Sequence, residues 1–167
     1  MLNEKFDISL DNIEDWRKCC NFSELLGHTV VDVFKTDDVI QIQTKTHLFH
    51  LYHEQDCCES VYIESIVGDL ESLIGREILL AECVSEESEK TEWGTSTWTF
   101  YKLASIKGYI DVRFFGESNG YYSEDVSCQK VELPRNENVV LETKYFKVLE
   151  SGGNNEWLKT IRGYPCC

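Results

Sequence analysis

The chain has 167 residues, of which 42% are hydrophobic and 28% charged, and its formal net charge is −14. The length suits one domain with a buried core, and the composition excludes a disordered or fibrous protein. Because a phosphate backbone or an anionic membrane attracts clustered Lys and Arg, this acidic balance argues against direct nucleic-acid binding and against membrane binding.

Acidic side chains are concentrated in the first hundred residues, which hold 21 acidic and 7 basic residues, whereas residues 101–167 hold 9 of each. Such an imbalance is typical of a surface that attracts a basic partner, but a surface that only keeps the protein soluble has the same composition. The densest acidic stretch is a predicted exposed loop at residues 85–92. Our candidate contacts with a basic partner are therefore Glu86, Glu87, Glu89 and Glu92.

The cysteines do not form the C-x-x-C spacing of zinc ribbons or thioredoxin-like sites. Residues 1–20 carry charges and no apolar segment of the kind that a secretory signal needs, and no apolar run approaches the roughly 18 residues of a membrane span. We therefore expect a cytoplasmic protein with reduced thiols. Six of the 8 cysteines come in adjacent pairs, at Cys19-Cys20, Cys57-Cys58 and Cys166-Cys167.

The first elements along the chain are predicted to be helical and then extended. Apolar residues in 11–26 recur at a broken helical spacing that ends at Gly27, which predicts one or two short helices. From Thr29 the period changes to two, with Asp37-Asp38 as the turn of a β-hairpin, and a third strand follows at 47–53.

After His53 the spacing of three and four residues returns, which predicts the principal helix of the fold. This helix begins near Asp56–Cys58 and ends near Gly75, and Asp56 forms a capping box with Glu59 at its start. The positions that set the spacing are Cys58, Val61, Tyr62, Ser65, Ile66, Leu70 and Leu73.

The second half of the chain is predicted to form strands at 78–84, 98–106, 109–115 and 121–133, with Lys107-Gly108 as a tight turn, and a last hairpin at 138–161. The predicted fold class is α+β: an antiparallel meandering sheet with one principal helix packed on it, a short N-terminal helix and a C-terminal hairpin. We expect a single domain over residues 1–167, made of a helical extension at 1–21, a core at 22–133 and an appended hairpin at 134–167.

The densest group of reactive side chains surrounds the junction between the third strand and the predicted helix. His53, Cys57 and Cys58 are weak candidates for a metal site, because imidazole and thiolate bind zinc but adjacent cysteines rarely reach one tetrahedral ion together. Cys57 with His53 as its base is a candidate nucleophile, although the flanking carboxylates oppose thiolate formation. In the structural interpretation, Cys58 lies in the core while Asp56 and Glu59 cap the helix.

A glycine-flanked polar loop, Gly116 to Glu124, is the second candidate region. It either lines a ligand pocket, with tyrosine rings stacked on a planar group, or is an ordinary turn around Asn119-Gly120. Neither G-x-G-x-x-G nor G-x-x-x-x-G-K occurs, so we expect no nucleotide hydrolysis and no cofactor. The candidate ligand-binding residues of the two regions are His53, Glu54, Asp56, Cys57, Glu117, Asn119, Tyr121 and Tyr122.

Two unusual polar strings occur in order, LYHEQDCCESVYI at residues 51–63 and FGESNGYYSE at residues 115–124. They resemble a family of small bacteriophage-encoded proteins of unknown function. The resemblance covers roughly Phe22 to Leu133, so the N-terminal helix and the tail beyond Pro134 lie outside it. It implies a phage origin and the cytoplasm of a host cell, and it implies no activity.

These observations favour binding over catalysis. The leading hypothesis is a non-enzymatic phage protein that inhibits a host or anti-phage defence protein with a basic surface, through its own acidic surface. One alternative is a protein that sequesters a small molecule in a pocket near residues 53–59 and 116–124. A second alternative is a cysteine-dependent enzyme that uses Cys57 and His53.

Overall fold

The computed structural model describes residues 19–87, 90, 92 and 94–133. In these ranges the chain is mostly β-structure, with two short 3-10 helices at Phe22–Leu25 and Leu70–Leu73 and no α-helix, so none of the described helices is long and apolar enough to cross a membrane. The strands are β1 (Val30–Lys35), β2 (Ile40–Thr44), β3 (His47–Tyr52), β4 (Glu59–Val67), β5 (Leu80–Glu87), β6 (Thr95–Ser105), β7 (Gly108–Ser118) and β8 (Ser127–Glu132).

These strands form two antiparallel sheets, in the orders β1-β2-β3-β8 and β4-β7-β6-β5. The β1-β2 hairpin around Asp37-Asp38 and strand β3 confirm the predictions for residues 30–52. The predicted tight turn between β6 and β7 is present one residue earlier than expected, at Ile106-Lys107, because Ser105 pairs with Gly108. Gly108 has a φ of +137°, a conformation that side chains rarely adopt, which explains why glycine begins β7.

Residues from both sheets and from both 3-10 helices form one hydrophobic core. In the regular strands alternate residues point into this core, so that β2 contributes Ile40 and Ile42 while β6 contributes Tyr101 and Leu103. Phe22 of the first 3-10 helix packs edge-on against Tyr101, with ring centroids 4.7 Å apart. Burial of apolar side chains in this one core therefore holds the two sheets and the short helices together.

The predicted principal helix is wrong, and the α+β fold class is wrong with it. Residues 59–67 are strand β4, which pairs with β7. Val61 and Ile63 alternate toward the core, but a bulge between Ile63 and Ser65 adds one residue, so Ile66 returns to the core three positions after Ile63. The bulge therefore gives a strand the apolar spacing of a helix.

Two further boundaries differ from prediction. The strand expected at 121–133 is limited to β8, because residues 119–126 form a loop. Residues 19–21 are not helical, since Cys19 forms an isolated β-bridge with Gln129 and the Cys20 N–H donates to the Cys128 carbonyl over 2.9 Å. Cys19 is disulfide-bonded, so the expectation of reduced thiols is wrong for this residue. The predicted hairpin at 138–161 and residues 1–18 of the extension lie outside the described residues, so the division into extension, core and hairpin stays a prediction.

Candidate functional site

The two polar strings noted in the sequence meet at one end of the β4-β7 pair. Glu59 begins β4 and pairs with Ser118, which ends β7. Just beyond this pair, the Asn119 N–H donates to the Cys58 carbonyl over 3.2 Å. Sheet pairing thus brings the turn at 53–58 next to the loop at 119–126, as a shared site would require.

His53 is held inside this junction through both ring nitrogens. Its Nδ1 lies 2.7 Å from the Asp125 carbonyl oxygen, and its Nε2 lies 3.1 Å from Glu59 Oε1. Glu59 Oε1 also accepts a hydrogen bond from the Asp56 N–H, so the contact predicted as a helix cap exists without a helix. His53 therefore organises the turn rather than facing Cys57 as a base.

Cys57 and Cys58 form an exposed pair of thiols whose sulfur atoms lie 3.0 Å apart. The hydrogen bond to Cys58 is the largest of several effects that raise the pKa of Cys57, and the Asp56 carboxylate adds to it. An activated nucleophile needs the opposite shift. Cys58 is exposed, so its predicted place in the core is wrong. Within the described ranges, no three His, Cys, Asp or Glu side chains are grouped to hold a metal ion.

The loop that follows β7 is tied to the sheet by the buried carboxylate of Glu124. This carboxylate accepts hydrogen bonds from Thr95 Oγ1 at 2.5 Å, from Thr97 Oγ1 at 2.7 Å and from Ser118 Oγ at 2.7 Å. Burial opposes ionisation, but the hydrogen bonds from the three hydroxyls outweigh it and lower the pKa of Glu124. Glu124 is therefore a structural anchor, and its oxygens are already used within the protein.

The remaining predicted ligand-binding residues are on the surface around this junction. Asn119 and Tyr121 are exposed, and Tyr121 packs edge-on against Tyr122 with ring centroids 5.1 Å apart. Asp56, Cys57 and Glu117 are exposed as well, whereas Glu54 and Tyr122 are half-buried.

A surface groove of about 480 Å³ lies elsewhere, between β1 and the second 3-10 helix. None of the predicted ligand-binding residues lines it, so this groove and the pocket predicted near 53–59 and 116–124 are different places. The groove is lined by Val33, Phe34, Lys35, Ile66, Gly68, Asp69, Leu70 and Glu71.

The predicted acidic contacts do not all lie in one loop. Glu86 is an exposed residue of β5, and the backbone of Glu87 pairs with Thr97 in the same strand pair. Glu92 is exposed beyond the end of β5, and Glu89 lies outside the described residues. The acidic stretch is thus partly built on a strand, where Glu86 stands directly opposite Trp98 of β6.

The outer surface of the β4-β7-β6-β5 sheet carries aromatic side chains that the sequence reasoning did not single out. Ring centroids of Tyr62 and Phe115 are 6.0 Å apart, those of Phe115 and Trp98 are 4.7 Å apart, and those of Trp98 and Phe100 are 6.2 Å apart. Tyr62 is 41% exposed and the other three are half-buried. We call Tyr62, Trp98, Phe100 and Phe115 the aromatic face.

Strand alternation explains why the aromatic face points outward. Tyr101 and Phe114 lie in the core, so their neighbours Phe100 and Phe115 project from the other side of the sheet. Phe115 is the cross-strand neighbour of both Tyr62 and Trp98, which aligns the rings across β4, β7 and β6. The signal in the sequence was the alternation of aromatic residues with Thr97 and Thr99, which is typical of a strand with two occupied faces.

Charged side chains surround the aromatic face. Glu82 on β5 stands opposite Lys102 on β6. Glu86 and Glu117 have no basic cross-strand neighbour. Glu86 pairs with Trp98, and Glu117 pairs with Ser60 and Ser96. Glu82, Glu86 and Glu117 are all exposed. Two carboxylates beside the aromatic face, Glu86 and Glu117, are thus opposed by no basic residue across the sheet, while the exposed Arg113 stands opposite Phe100.

A family model described as a domain of unknown function, DUF7448, matches residues 23–128. The chain belongs to this family. Neither a curated protein nor a solved structure matches the chain. The matched range contains the cysteine pair and the whole aromatic face, and the family's description names neither an activity nor a source. The phage origin implied by the two polar strings therefore stays a prediction.

Proposed function

We propose that this protein is a non-enzymatic binding protein that recognises a partner protein with a basic surface through the aromatic face and the carboxylates beside it. The observation that carries the proposal is the row of outward aromatic rings across three strands of one sheet. Contiguous exposed apolar patches on a folded protein commonly mark interaction sites.

The aromatic face has the chemistry of an interface centre. Trp and Tyr are enriched among the residues that contribute most to binding, because their rings bury much apolar area while they lose few rotamers. The rings already pack against one another, so little conformational entropy is lost when a partner covers them. Val84, which is 44% exposed on β5 opposite Phe100, extends the apolar surface toward the fourth strand.

The charges beside the aromatic face favour a basic partner. Glu86 and Glu117 flank the rings, Glu92 is exposed beyond β5, and the whole chain carries a net charge of −14. Such a field raises the rate of encounter with a positively charged surface, while the apolar contact sets the lifetime of the complex. A host or anti-phage defence protein as the partner is part of this proposal, and it is supported only by the resemblance of the two polar strings to phage proteins.

Contacts in the structure weigh against the two alternatives. For a small-molecule site at residues 53–59 and 116–124, the buried polar groups of the junction, Glu59 and Glu124, are already occupied by His53 and by the three hydroxyls. For a cysteine-dependent enzyme, Cys57 lies beside another thiol that raises its pKa, and His53 bonds elsewhere. The aromatic face has no comparable internal use.

The test compares variants that leave the core intact. The wild-type chain and the Tyr62→Ala and Trp98→Ala variants, each checked for cooperative unfolding, serve as baits in bacterial extracts, and a partner captured by the wild type is then purified for kinetic binding measurements. Leu26→Ala is the matched control, because Leu26 is 55% exposed and lies outside the aromatic face. Truncation of a central interface aromatic commonly costs about 2 kcal/mol, which corresponds to about a 30-fold weaker affinity.

The charge component is measured separately with Glu86→Gln and Glu117→Gln. These variants should slow association and reduce its dependence on salt while leaving dissociation nearly unchanged. Equal affinity of the captured partner for the wild type, Tyr62→Ala and Trp98→Ala would contradict the proposal. Loss of binding in Tyr121→Ala instead would favour the junction of the two polar strings as the binding site.

A further inference from the structure

The turn between β3 and β4 presents two adjacent thiols to solvent. Both Cys57 and Cys58 are exposed, and their sulfur atoms already lie 3.0 Å apart. A disulfide bond has a sulfur–sulfur distance of about 2.05 Å, so bond formation requires the two atoms to approach by only about 1 Å. Neither side chain needs to leave a packed environment for this approach.

The backbone of the turn is set in an uncommon conformation that keeps the thiols together. Cys58 has a φ of +61° and is the one non-glycine residue with positive φ in the described ranges. Its carbonyl accepts the hydrogen bond from the Asn119 N–H, which ties the turn to the end of β7. The reduced protein thus already holds Cys58 in the left-handed conformation, so disulfide formation does not have to impose it.

The nearby groups favour redox chemistry of the pair over metal binding. His53 is engaged with Asp125 and Glu59 and does not complete a ligand set with the two sulfurs. The Cys58 thiol and the Asp56 carboxylate raise the pKa of Cys57. Because the thiolate is not stabilised, the dithiol gains no extra stability relative to its oxidised form.

We propose that Cys57 and Cys58 are a reversible oxidation site that exchanges with small disulfides of the glutathione class. One cysteine, as thiolate after losing its proton to water, attacks a sulfur of the small disulfide, forming a mixed disulfide and releasing one small thiolate. The second cysteine, which has likewise lost its proton to water, then attacks the sulfur of the first, closing the Cys57–Cys58 disulfide and releasing the other small thiolate. Both released thiolates take up a proton. The protein pair loses two electrons, and the small disulfide gains them.

The disulfide so formed should be easily reduced. Adjacent α-carbons are about 3.8 Å apart across a trans peptide, which is below the usual separation of about 4.4–6.8 Å for disulfide-linked residues. The ring is therefore strained, and strained, exposed disulfides are the labile ones. This proposal concerns the turn alone and does not depend on the proposed binding function.

The test uses the full-length chain in glutathione buffers of increasing oxidised fraction at about pH 8, where thiolate is available for exchange. After an acid quench and alkylation, trypsin should release residues 46–76, which contain Cys57 and Cys58 and no other cysteine. We expect this peptide to lose two hydrogens and to escape alkylation when oxidised glutathione is in excess. Reduced glutathione should then restore two alkylation sites.

Two controls keep the result specific. Cys58→Ser leaves Cys57 with no neighbour to close the ring, so it should stop at the mixed disulfide. The peptide of residues 77–90 contains Cys83 alone and should show no internal disulfide. If peptide 46–76 takes up two alkyl groups at every ratio, keeps its glutathione adducts without closing, or crosslinks to another chain, the proposal is wrong.

Discussion

Replacing Glu124 should reveal how strongly one buried carboxylate holds the loop at 119–126. Glu124 is 6% exposed and accepts hydrogen bonds from hydroxyls on Thr95, Thr97 and Ser118, which lie at the ends of β6 and β7 that meet beside this loop. Glu124→Ala removes all three hydrogen bonds in one step. It also leaves the three hydroxyls with no acceptor at this position.

The expected loss is smaller than the sum of the three hydrogen bonds. A hydrogen bond to a charged group contributes about 1.5–3 kcal/mol. Removing the carboxylate also removes the cost of keeping a charge out of water, and Thr95 Oγ1, 3.3 Å from Ser118 Oγ, has a substitute partner in the variant. We therefore expect Glu124→Ala to lower the free energy of unfolding by about 3 kcal/mol, a large part of the 5–15 kcal/mol typical of a domain.

Urea unfolding followed by tryptophan fluorescence measures this loss as a shift of the midpoint at unchanged slope. Glu124→Gln keeps one carbonyl acceptor and should fall between the wild type and Glu124→Ala. Glu117→Ala, at an exposed position of β7, is the control and should change stability by at most about 0.5 kcal/mol. A loss below about 1 kcal/mol in Glu124→Ala would refute the view that this carboxylate anchors the loop.

The same residue predicts a pH dependence. The hydroxyl hydrogen bonds hold the pKa of Glu124 below its ordinary value of 4.5 in the folded protein. The stabilisation is therefore complete above pH 4.5 and is lost as the pH falls through the lower folded pKa. The difference in stability between the wild type and Glu124→Ala should be constant near neutral pH and should shrink below pH 4.5. A difference that grows on acidification would contradict the assigned direction.

Two further predictions concern other parts of the fold. Gly94→Ala should destabilise the protein by more than about 3 kcal/mol, because Gly94 has a φ of +144° and an added Cβ would lie 2.2 Å from the Ser118 carbonyl oxygen. In Gly108→Ala the added Cβ meets no atom within 4 Å, so this variant should lose only about 1–2 kcal/mol through the strain of its positive φ. Equal losses in the two variants by urea unfolding would show that the close approach at Gly94 is relieved. Burial lowers the pKa of His50 to about 4, so the unfolded chain takes up a proton near pH 6.5 that the folded chain resists. The free energy of unfolding should therefore decrease from about pH 6.5 toward pH 4, and it should decrease less steeply in His50→Gln. Parallel curves of unfolding free energy against pH for the two proteins would contradict the lowered pKa of His50.

The strands with a regular period of two were predictable from the sequence, and β4 was not. In β2, Ile40 and Ile42 alternate regularly with Gln41 and Gln43 beside the Asp37-Asp38 turn, so the pattern gives a hairpin even though β1 carries an irregularity between Val30 and Asp32. In β4 the bulge between Ile63 and Ser65 breaks the alternation and produces helical spacing. The better local signal was composition, since Val61, Ile63, Ile66 and Val67 are all β-branched and therefore favour a strand.

The candidate sites show the same limit. The two polar strings could be identified because their residues are unusual, but their meeting at Glu59 and Ser118 depends on the pairing of β4 with β7, which are separated by two other strands in the chain. The aromatic face depends on pairing as well, because its rings come from three strands and become neighbours only in the register that sets Phe115 between Tyr62 and Trp98. A single sequence gives the periodicity of each strand and leaves this register open.

The position of the aromatic rings is itself an argument for binding. The inner side of the same sheet is filled by Tyr101, Leu103 and Phe114, so Trp98 and Phe115 are not needed to complete the core. Threonine at these outward positions would keep the β propensity of the strands and would expose less apolar surface to nonspecific association. A monomer therefore gains little from outward rings that a partner does not cover. Their contribution to affinity should exceed their contribution to stability, which is the comparison that the Trp98→Ala variant makes when unfolding and binding are measured on the same preparation.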